Sequence, residues 1–457
     1  FYKGGKDALM KKAIHKRKGL ALAALLAVRL SVGAVDAEAA QKLSVDSVKV
    51  MGNTTWKESE ILDLLPALKQ QDVDPQKLSR QILLVNDAGA LELKANFVQK
   101  SAGRYDVEVS VQEKKAQRAS INVNNSGNEY TGDWRIGLNY MDRNLSGRSD
   151  AIGVAYVTSP DHWADVKQAA FAYRRLLPQS ADSMYLSYSY SDVDLGTIAN
   201  FGGLGINATG KGQTAALHYQ RNLTYTKKKK EVLDFGFDWK KYENAADYRA
   251  GGRRLLRDDT DFTVATASVS YANIQRMTNQ LFSYSLGYTR NLSSGKGFER
   301  NRTGSDVHFN LFTASLNYQY RTKDDWIFGV RANGQYTGDS LVSTEQLGAG
   351  GMYSVRGFKE RSASADKGVL GSFEIYTPEF AKNQRFVFFL DGAHLVNNRA
   401  NANDWGSDNV ASVGLGYRLF ETKQGLSASI DYAHVLNEVN GRSDTHRPWH
   451  LSITQSF

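Results

Sequence analysis

From Ala119 to Phe457 large apolar residues alternate with small or polar ones. In Phe282-Ser283-Tyr284-Ser285-Leu286-Gly287-Tyr288-Thr289 one face is bulky and the other is small. Val413–Leu419 and Leu426–Tyr432 repeat the pattern. A period of two places these residues on opposite faces of strands. The alternation predicts sixteen strands, starting near Ala119, Asp133, Ala151, Val166, Ser183, Gln213, Glu231, Phe262, Leu281, Val307, Asp325, Val369, Arg385, Val410, Gly425 and Pro448. Apolar-out and polar-in residues suit a sheet that meets lipid outside and water inside. Lipid offers backbone groups no partners, so such a sheet must close.

The connections alternate in length. Lys227–Lys230, Arg276–Asn279, Lys323-Asp324, Ala381–Gln384 and Glu421–Gln424 are brief. Val193–Gly212, Glu243–Asp261, Gly295–Ser305, Gln335–Gly368 and Asn397–Asn409 are long. Short turns on one side and long loops on the other are the asymmetry of an outer-membrane barrel. Trp134, Trp239, Trp326 and Trp449 fall near strand ends, where interface belts place them. The run Lys227–Lys230 reads as a solvated turn.

Residues 44–115 carry a different pattern. Val45–Val50 reads as a strand. Thr55 can cap a helix through Glu58–Leu65, and Pro66 marks its expected end. Asp74-Pro75 opens a second helix holding Leu78, Ile82 and Leu83. Leu91–Gln99 and Tyr105–Gln112 are two further strands. Ahead of this module, Lys11, Lys12, Lys16, Arg17 and Lys18 precede the apolar run Leu20–Val28, and Ala37-Glu38-Ala39 follows as a cleavage candidate. Residues 1–40 are therefore expected to be a signal peptide with some upstream sequence. The expected organisation is 1–40 signal, 41–116 αβ domain and 117–457 transmembrane barrel.

Composition adds three limits. The 457 residues include 23 Tyr, 20 Phe and 40 Gly but only 6 Pro, which favours many strands. With 0 Cys, disulfides and thiolate metal sites are excluded. Of the net charge of +9, +5 sits in residues 1–40 and +4 in the remainder, which argues against nucleic acid as a partner. No triad or metal-ligand cluster stands out, so no catalytic residue, metal or cofactor is expected, nor an enzyme. His446 and His450 are four apart, but Pro448 between them breaks a helix, and the spacing reads as coincidence. His394 and His434 are expected to face the lumen.

Val355-Arg356-Gly357-Phe358 matches a four-residue signature of the outer-membrane assembly and secretion superfamily. Ser343–Gln346, Gly350-Gly351 and Phe373-Glu374-Ile375-Tyr376-Thr377-Pro378 resemble its hemolysin-activator branch, the TpsB transporters of two-partner secretion. Asn124–Gly132 and Arg143–Asp150 look like that branch's first barrel hairpin, and the αβ module resembles a POTRA domain.

The resemblance implies a mainly β chain: a 16-stranded antiparallel transmembrane barrel preceded by one small αβ POTRA domain. The loop carrying Val355–Phe358 would fold back into the lumen, Arg356 would pair with Asp391, beside Gly392, and Glu374 would neighbour the motif. Gly357 would allow close backbone approach and Phe358 would meet the inner wall. The POTRA edge and groove, with Leu91, Leu93, Ala95, Phe97, Leu78 and Ile82, would receive an extended cargo. The implied partners are a secreted TpsA-like exoprotein, outer-membrane lipid, the barrel assembly machinery for insertion, and periplasmic chaperones. The chain would act as a monomer in the bacterial outer membrane, with the POTRA in the periplasm. Relatives usually carry two POTRA domains, and many have a plug helix before them; one module and no plug helix are read here. The alternative reading is a membrane-protein insertase that opens a seam between the first and last strands.

Overall fold

The computed structural model describes residues 42–457, apart from 129–131, 164–165, 193–195, 202–203, 209–210, 244, 251–252, 260, 400–404 and 441–442. The expected signal segment and part of the first outer hairpin lie outside the described residues.

The αβ module comprises β1 (Leu43–Met51), α1 (Glu58–Leu64), β2 (Asp72–Val73), α2 (Pro75–Ala88), β3 (Leu91–Ser101) and β4 (Arg104–Glu113). The sheet order is β2-β1-β4-β3, with β1 parallel and β3 antiparallel to β4. Strand β3 is therefore an outer edge. Ile61, Leu65, Leu78, Val85, Leu91 and Val107 are fully buried in the core between helices and sheet.

The capping of α2 follows from its sequence. The Asp74 carboxylate accepts from the Gln76 and Lys77 amides at 2.8 and 3.2 Å, Pro75 takes the first turn, and Gly89 closes the helix in the left-handed region. The start of α1 differs from expectation. Lys57, not Thr55, is the N-cap, and its amide donates to the Glu60 carboxylate at 2.9 Å. The amides of Thr54, Thr55 and Trp56 instead donate to Glu113 at the end of β4, at 2.7, 2.8 and 3.0 Å. Burial alone would raise the Glu113 pKa, but these donors lower it to about 2. The helix ends ahead of Pro66 as expected, with Leu65 as its C-cap, and Pro66 opens a separate 3-10 turn, Pro66–Lys69.

The barrel strands are β5 (Gln117–Asn124), β6 (Arg135–Asp142), β7 (Ala151–Thr158), β8 (Gln168–Leu177), β9 (Asp182–Asp192), β10 (Lys211–Tyr225), β11 (Lys229–Tyr242), β12 (Phe262–Arg276), β13 (Gln280–Asn291), β14 (Asn310–Arg321), β15 (Ile327–Tyr336), β16 (Lys367–Tyr376), β17 (Gln384–Val396), β18 (Ser407–Leu419), β19 (Leu426–Asn437) and β20 (Trp449–Ser456). These sixteen form one closed antiparallel sheet. It closes where β20 meets β5, from Ser452 opposite Asn124 to Ser456 opposite Ser120. The Asn122 amide donates to Ser452 Oγ, Ile453 O and Thr454 Oγ1 across this seam.

The alternation sorts as the sequence indicates. Phe386, Phe388 and Leu390 of β17 are outward and exposed, while Val387, Phe389 and Asp391 are inward and buried. Trp134, Trp326 and Trp449 are also exposed, as a lipid interface needs. His394 and His434 lie in the exposed, outward register, contrary to the expected lumenal position. His394 has an adjacent polar partner, Asn409 Oδ1 at 2.7 Å from its Nδ1. Among the described residues no helix is long and apolar enough to span a membrane; strands make the crossing.

The module rests on the barrel's short-turn end through α2. Gln81 donates to Pro178 O at 3.0 Å, Arg80 donates to Asn222 O, and Asp87 accepts from Tyr225 Oη and pairs with Lys230. The lysine run is thus not wholly a solvated turn, because Lys230 anchors the module. Leu176 and Ala181 of the barrel join the module's apolar core.

Candidate functional site: the lumenal loop and the module edge

The connection between β15 and β16 turns into the lumen. Gly357-Phe358 pairs antiparallel with His446-Arg447, so the loop tip adds a short strand to the last outer connection. Val355 and Phe358 are fully buried with Ala349, Ala363, Leu395 and Val410. Phe358 also meets the His446 ring edge-on at 5.8 Å.

Gly357 has φ +93°, and a Cβ there would lie 3.2 Å from both Ala433 Cβ and Val435 Cγ2. Only glycine fits both the backbone and the gap. Its N–H donates to His450 Nε2 at 3.0 Å. Two histidines that read as a coincidence of spacing therefore both touch the motif. The signal was available: His450 shares the inward register of β20 with Ser452 and Thr454.

Arg356 is buried and makes a forked contact with Asp391: Nε to Oδ2 is 2.7 Å and Nη2 to Oδ1 is 2.9 Å. The Arg356 amide donates to the same Oδ2 at 3.1 Å. Glu374 lies 2.8 Å from Nη2 and Asp431 3.9 Å from Nη1. The guanidinium also stacks 3.5 Å from the Phe389 ring centre. Glu374 in turn meets Arg331 at 3.2 Å, and Asp431 is forked to Arg418 at 2.8 and 2.9 Å. Arg331, Arg356 and Arg418 balance Glu374, Asp391 and Asp431, so the cluster is formally neutral. Charges removed from water persist only when so compensated. Gly414 and Gly416 make room for it: a Cβ at either would collide with the Phe389 ring or the Asp431 carboxylate.

Gly392 follows Asp391 on the opposite face and makes no part of this network. Glu374, expected only as a neighbour, is a direct partner of Arg356. Asp431 and Arg418 were not singled out, although a charge on the small face of Leu426–Tyr432 marks a lumenal site.

The module edge differs from the expected groove. Leu91, Leu93 and Leu78 are core residues and present no side chain to a partner. Their strand and helix faces turn toward one another because the two helices cover that side of the sheet. Ile82, Ala95 and Phe97 are partly buried against the same core. The free feature is backbone, and part of that is already occupied. Asn86 accepts from the Leu93 N–H at 2.7 Å and donates to the Leu93 carbonyl at 3.0 Å. Its side-chain amide imitates a neighbouring strand. Both backbone groups of Leu93 point away from β4, so the outward-pointing groups farther along β3 belong to Ala95 and Phe97.

Residues 103–419 match the family described as haemolysin secretion/activation protein ShlB/FhaC/HecB. The heme/hemopexin transporter protein HuxB of Haemophilus influenzae is 23% identical over 471 residues, covering 95% of this chain and 74% of that one. The outer membrane transporter CdiB of Escherichia coli is 26% identical over 304 residues, covering 65% of this chain and 50% of the relative. Among solved structures, CdiB from Escherichia coli superposes with a TM-score of 0.70 at 19% identity, covering 91% of this chain and 77% of the other. BamA from Haemophilus ducreyi, lacking POTRA domains 1-3, gives 0.56 at 14% identity, covering 91% and 85%. With the family match spanning most of the barrel and the loop motif in place, the chain belongs to the haemolysin secretion/activation family of outer-membrane transporters.

Proposed function

We propose that the chain receives an unfolded exoprotein in the periplasm on the edge of its αβ module and passes it through the barrel lumen to the cell surface. The observation that carries this is the lumenal loop. It occupies the channel, yet its tip is held there by a compact set of side-chain contacts around Arg356 and one short backbone pairing with His446-Arg447, not by the hydrogen-bond ladder of the barrel. Release of that tip is then a step in freeing the passage. The free stretch of β3 faces the periplasmic side, where strand addition accepts many sequences because it uses backbone groups. Arg356–Asp391 is the tip latch in this reading, with Gly357, Phe358, Glu374 and His450 shaping its seat.

An insertase would instead open the β5–β20 seam. Asn122 and Asn125 lace that seam, and Asn125 both accepts from the Leu451 amide at 2.8 Å and donates to Trp449 O at 2.9 Å. The two readings separate in a deletion strain. Export through the lumen predicts that one large exoprotein stays cell-associated while other barrels reach normal levels. Normal secretion of that exoprotein with depleted barrels would establish the insertase instead.

A further inference from the structure

The lumenal loop has a second buried ion pair at its roots, made with a residue of another outer connection. Arg302 belongs to the neighbouring outer connection, just after the short helix Phe298–Asn301. Its Nη1 lies 2.6 Å from Asp366 Oδ1, and its Nη2 3.3 Å from Oδ2. Asp366 is the residue immediately before β16, where the loop returns to the barrel. The same Nη1 donates to the carbonyl of Leu341 at 2.8 Å and to Ser340 Oγ at 3.0 Å, where the loop departs. The Leu341 amide completes the circuit by donating to Asp366 Oδ1 at 2.9 Å. One guanidinium and one carboxylate therefore bind the two roots to each other.

Both charges are out of solvent: the side chains of Arg302 and Asp366 are 8% and 0% exposed. The pair also reaches a third outer connection. Arg302 Nη2 donates to Asn397 Oδ1 at 3.2 Å, and Asp366 Oδ2 accepts from the Asn398 amide at 2.8 Å. Beneath it, Leu341 and Val342 are fully buried against Phe262, Phe298 and Phe309. The roots thus have their own apolar seat and their own charge pair, sharing no residue with the cluster around Arg356.

We infer that Arg302–Asp366 is a second latch, a positioning pair that holds the two roots of the lumenal loop in place. It rests on the reading that the loop must yield for cargo to pass. Release of the tip alone would leave the loop tethered at the mouth, and release of the roots alone would leave the tip docked. Full opening needs both, so loss of either contact lowers its cost while the other still holds the loop most of the time.

The test uses the full chain, and the 0 native cysteines make engineered pairs unambiguous. Lys359 and Thr445 are backbone-paired at the tip, with Lys359 N donating to Thr445 O at 2.8 Å. A K359C/T445C pair therefore reports tip docking. Arg302→Gln is expected to leave the tip cross-link at its unsubstituted yield. It should also raise open-channel events in planar bilayers about tenfold, the effect of ~1.4 kcal/mol, and expose the roots to protease. Arg356→Ala should lower the tip cross-link instead. Arg302→Lys, which keeps charge but loses the fork, should fall between Gln and the parent; it supplies the reading if Arg302→Gln does not assemble. Unchanged conductance and proteolysis in whichever of the two assembles would overturn the second latch. So would loss of the tip cross-link in parallel with the roots, which would make the loop one cooperative unit. None of these readouts requires an exported partner, so failure of the export reading shows separately, as absent secretion by the parent chain.

Discussion

Replacing Arg356 by Ala should harm the docked loop more than replacing Asp391 by Ala, although the two residues form one pair. The asymmetry comes from their other neighbours. Without Asp391, Arg356 still faces Glu374 at 2.8 Å and Asp431 at 3.9 Å. Without Arg356, Asp391 is left buried with its forked donor gone, while Glu374 and Asp431 keep Arg331 and Arg418. Stranding one partner of a buried ion pair costs about 3–5 kcal/mol. Losing charge-assisted hydrogen bonds while other acceptors remain costs about 1.5–3 kcal/mol. Arg356→Ala should therefore shift the docked-to-undocked equilibrium by roughly 10²- to 4 × 10³-fold. The double variant removes the stranded carboxylate and should be less perturbed than Arg356→Ala alone, a coupling of about 2 kcal/mol or more. Hydrogen exchange at the Gly357 and Lys359 amides measures the opening free energy, because both are bonded only when the tip is docked. Heat-modifiable migration on a gel verifies that the barrel has assembled. Equal effects of the two single substitutions, adding without coupling in the double, would refute the reasoning.

Gly357→Ala should undock the tip even with Arg356 intact, by about 1–2 kcal/mol for the left-handed backbone plus the contact with Ala433 and Val435; the K359C/T445C cross-link yield checks it. Asn86→Ala should uncover the Leu93 backbone and lengthen the usable edge of β3, so binding of an extended cargo peptide should tighten while the module stays folded; weaker binding would place the cargo elsewhere. Glu113 has its pKa lowered to about 2 in the folded chain against an ordinary value of 4.5, so its contribution to module stability is complete above about pH 4.5 and is lost as pH falls toward 2. Acid unfolding of the module followed by tryptophan fluorescence should shift to lower pH sensitivity in Glu113→Gln, which starts less stable at neutral pH.

The strands were legible because each separates lipid from lumen, and that contrast is written at every second residue. All sixteen appear where the alternation places them, with boundaries displaced by a few residues where outer loops run on, as at Asn310 instead of Val307. The loop motif was legible through its resemblance. Its surroundings were not, because Asp431, Arg418 and His450 come from strands far away in sequence and carry no local pattern beyond a polar residue on the inner face. The module edge misled for a different reason. Period-two logic marks Leu91 and Leu93 as one face of a strand, but an edge offers its backbone and not its faces. That Asn86 already fills part of the edge depends on how α2 packs, which no periodicity in residues 75–88 announces.

Passage through the lumen can be caught in the act with a stalled cargo. A secreted partner carrying a folded, disulfide-locked domain can be halted during export and probed with single cysteines placed on the chain. Passage through the lumen predicts cross-links from the halted segment to inward positions of β17 and β19 beside Asp391 and Asp431, together with loss of the Lys359–Thr445 tip contact. Cross-links confined to the β5–β20 seam, with the tip still docked, would contradict it.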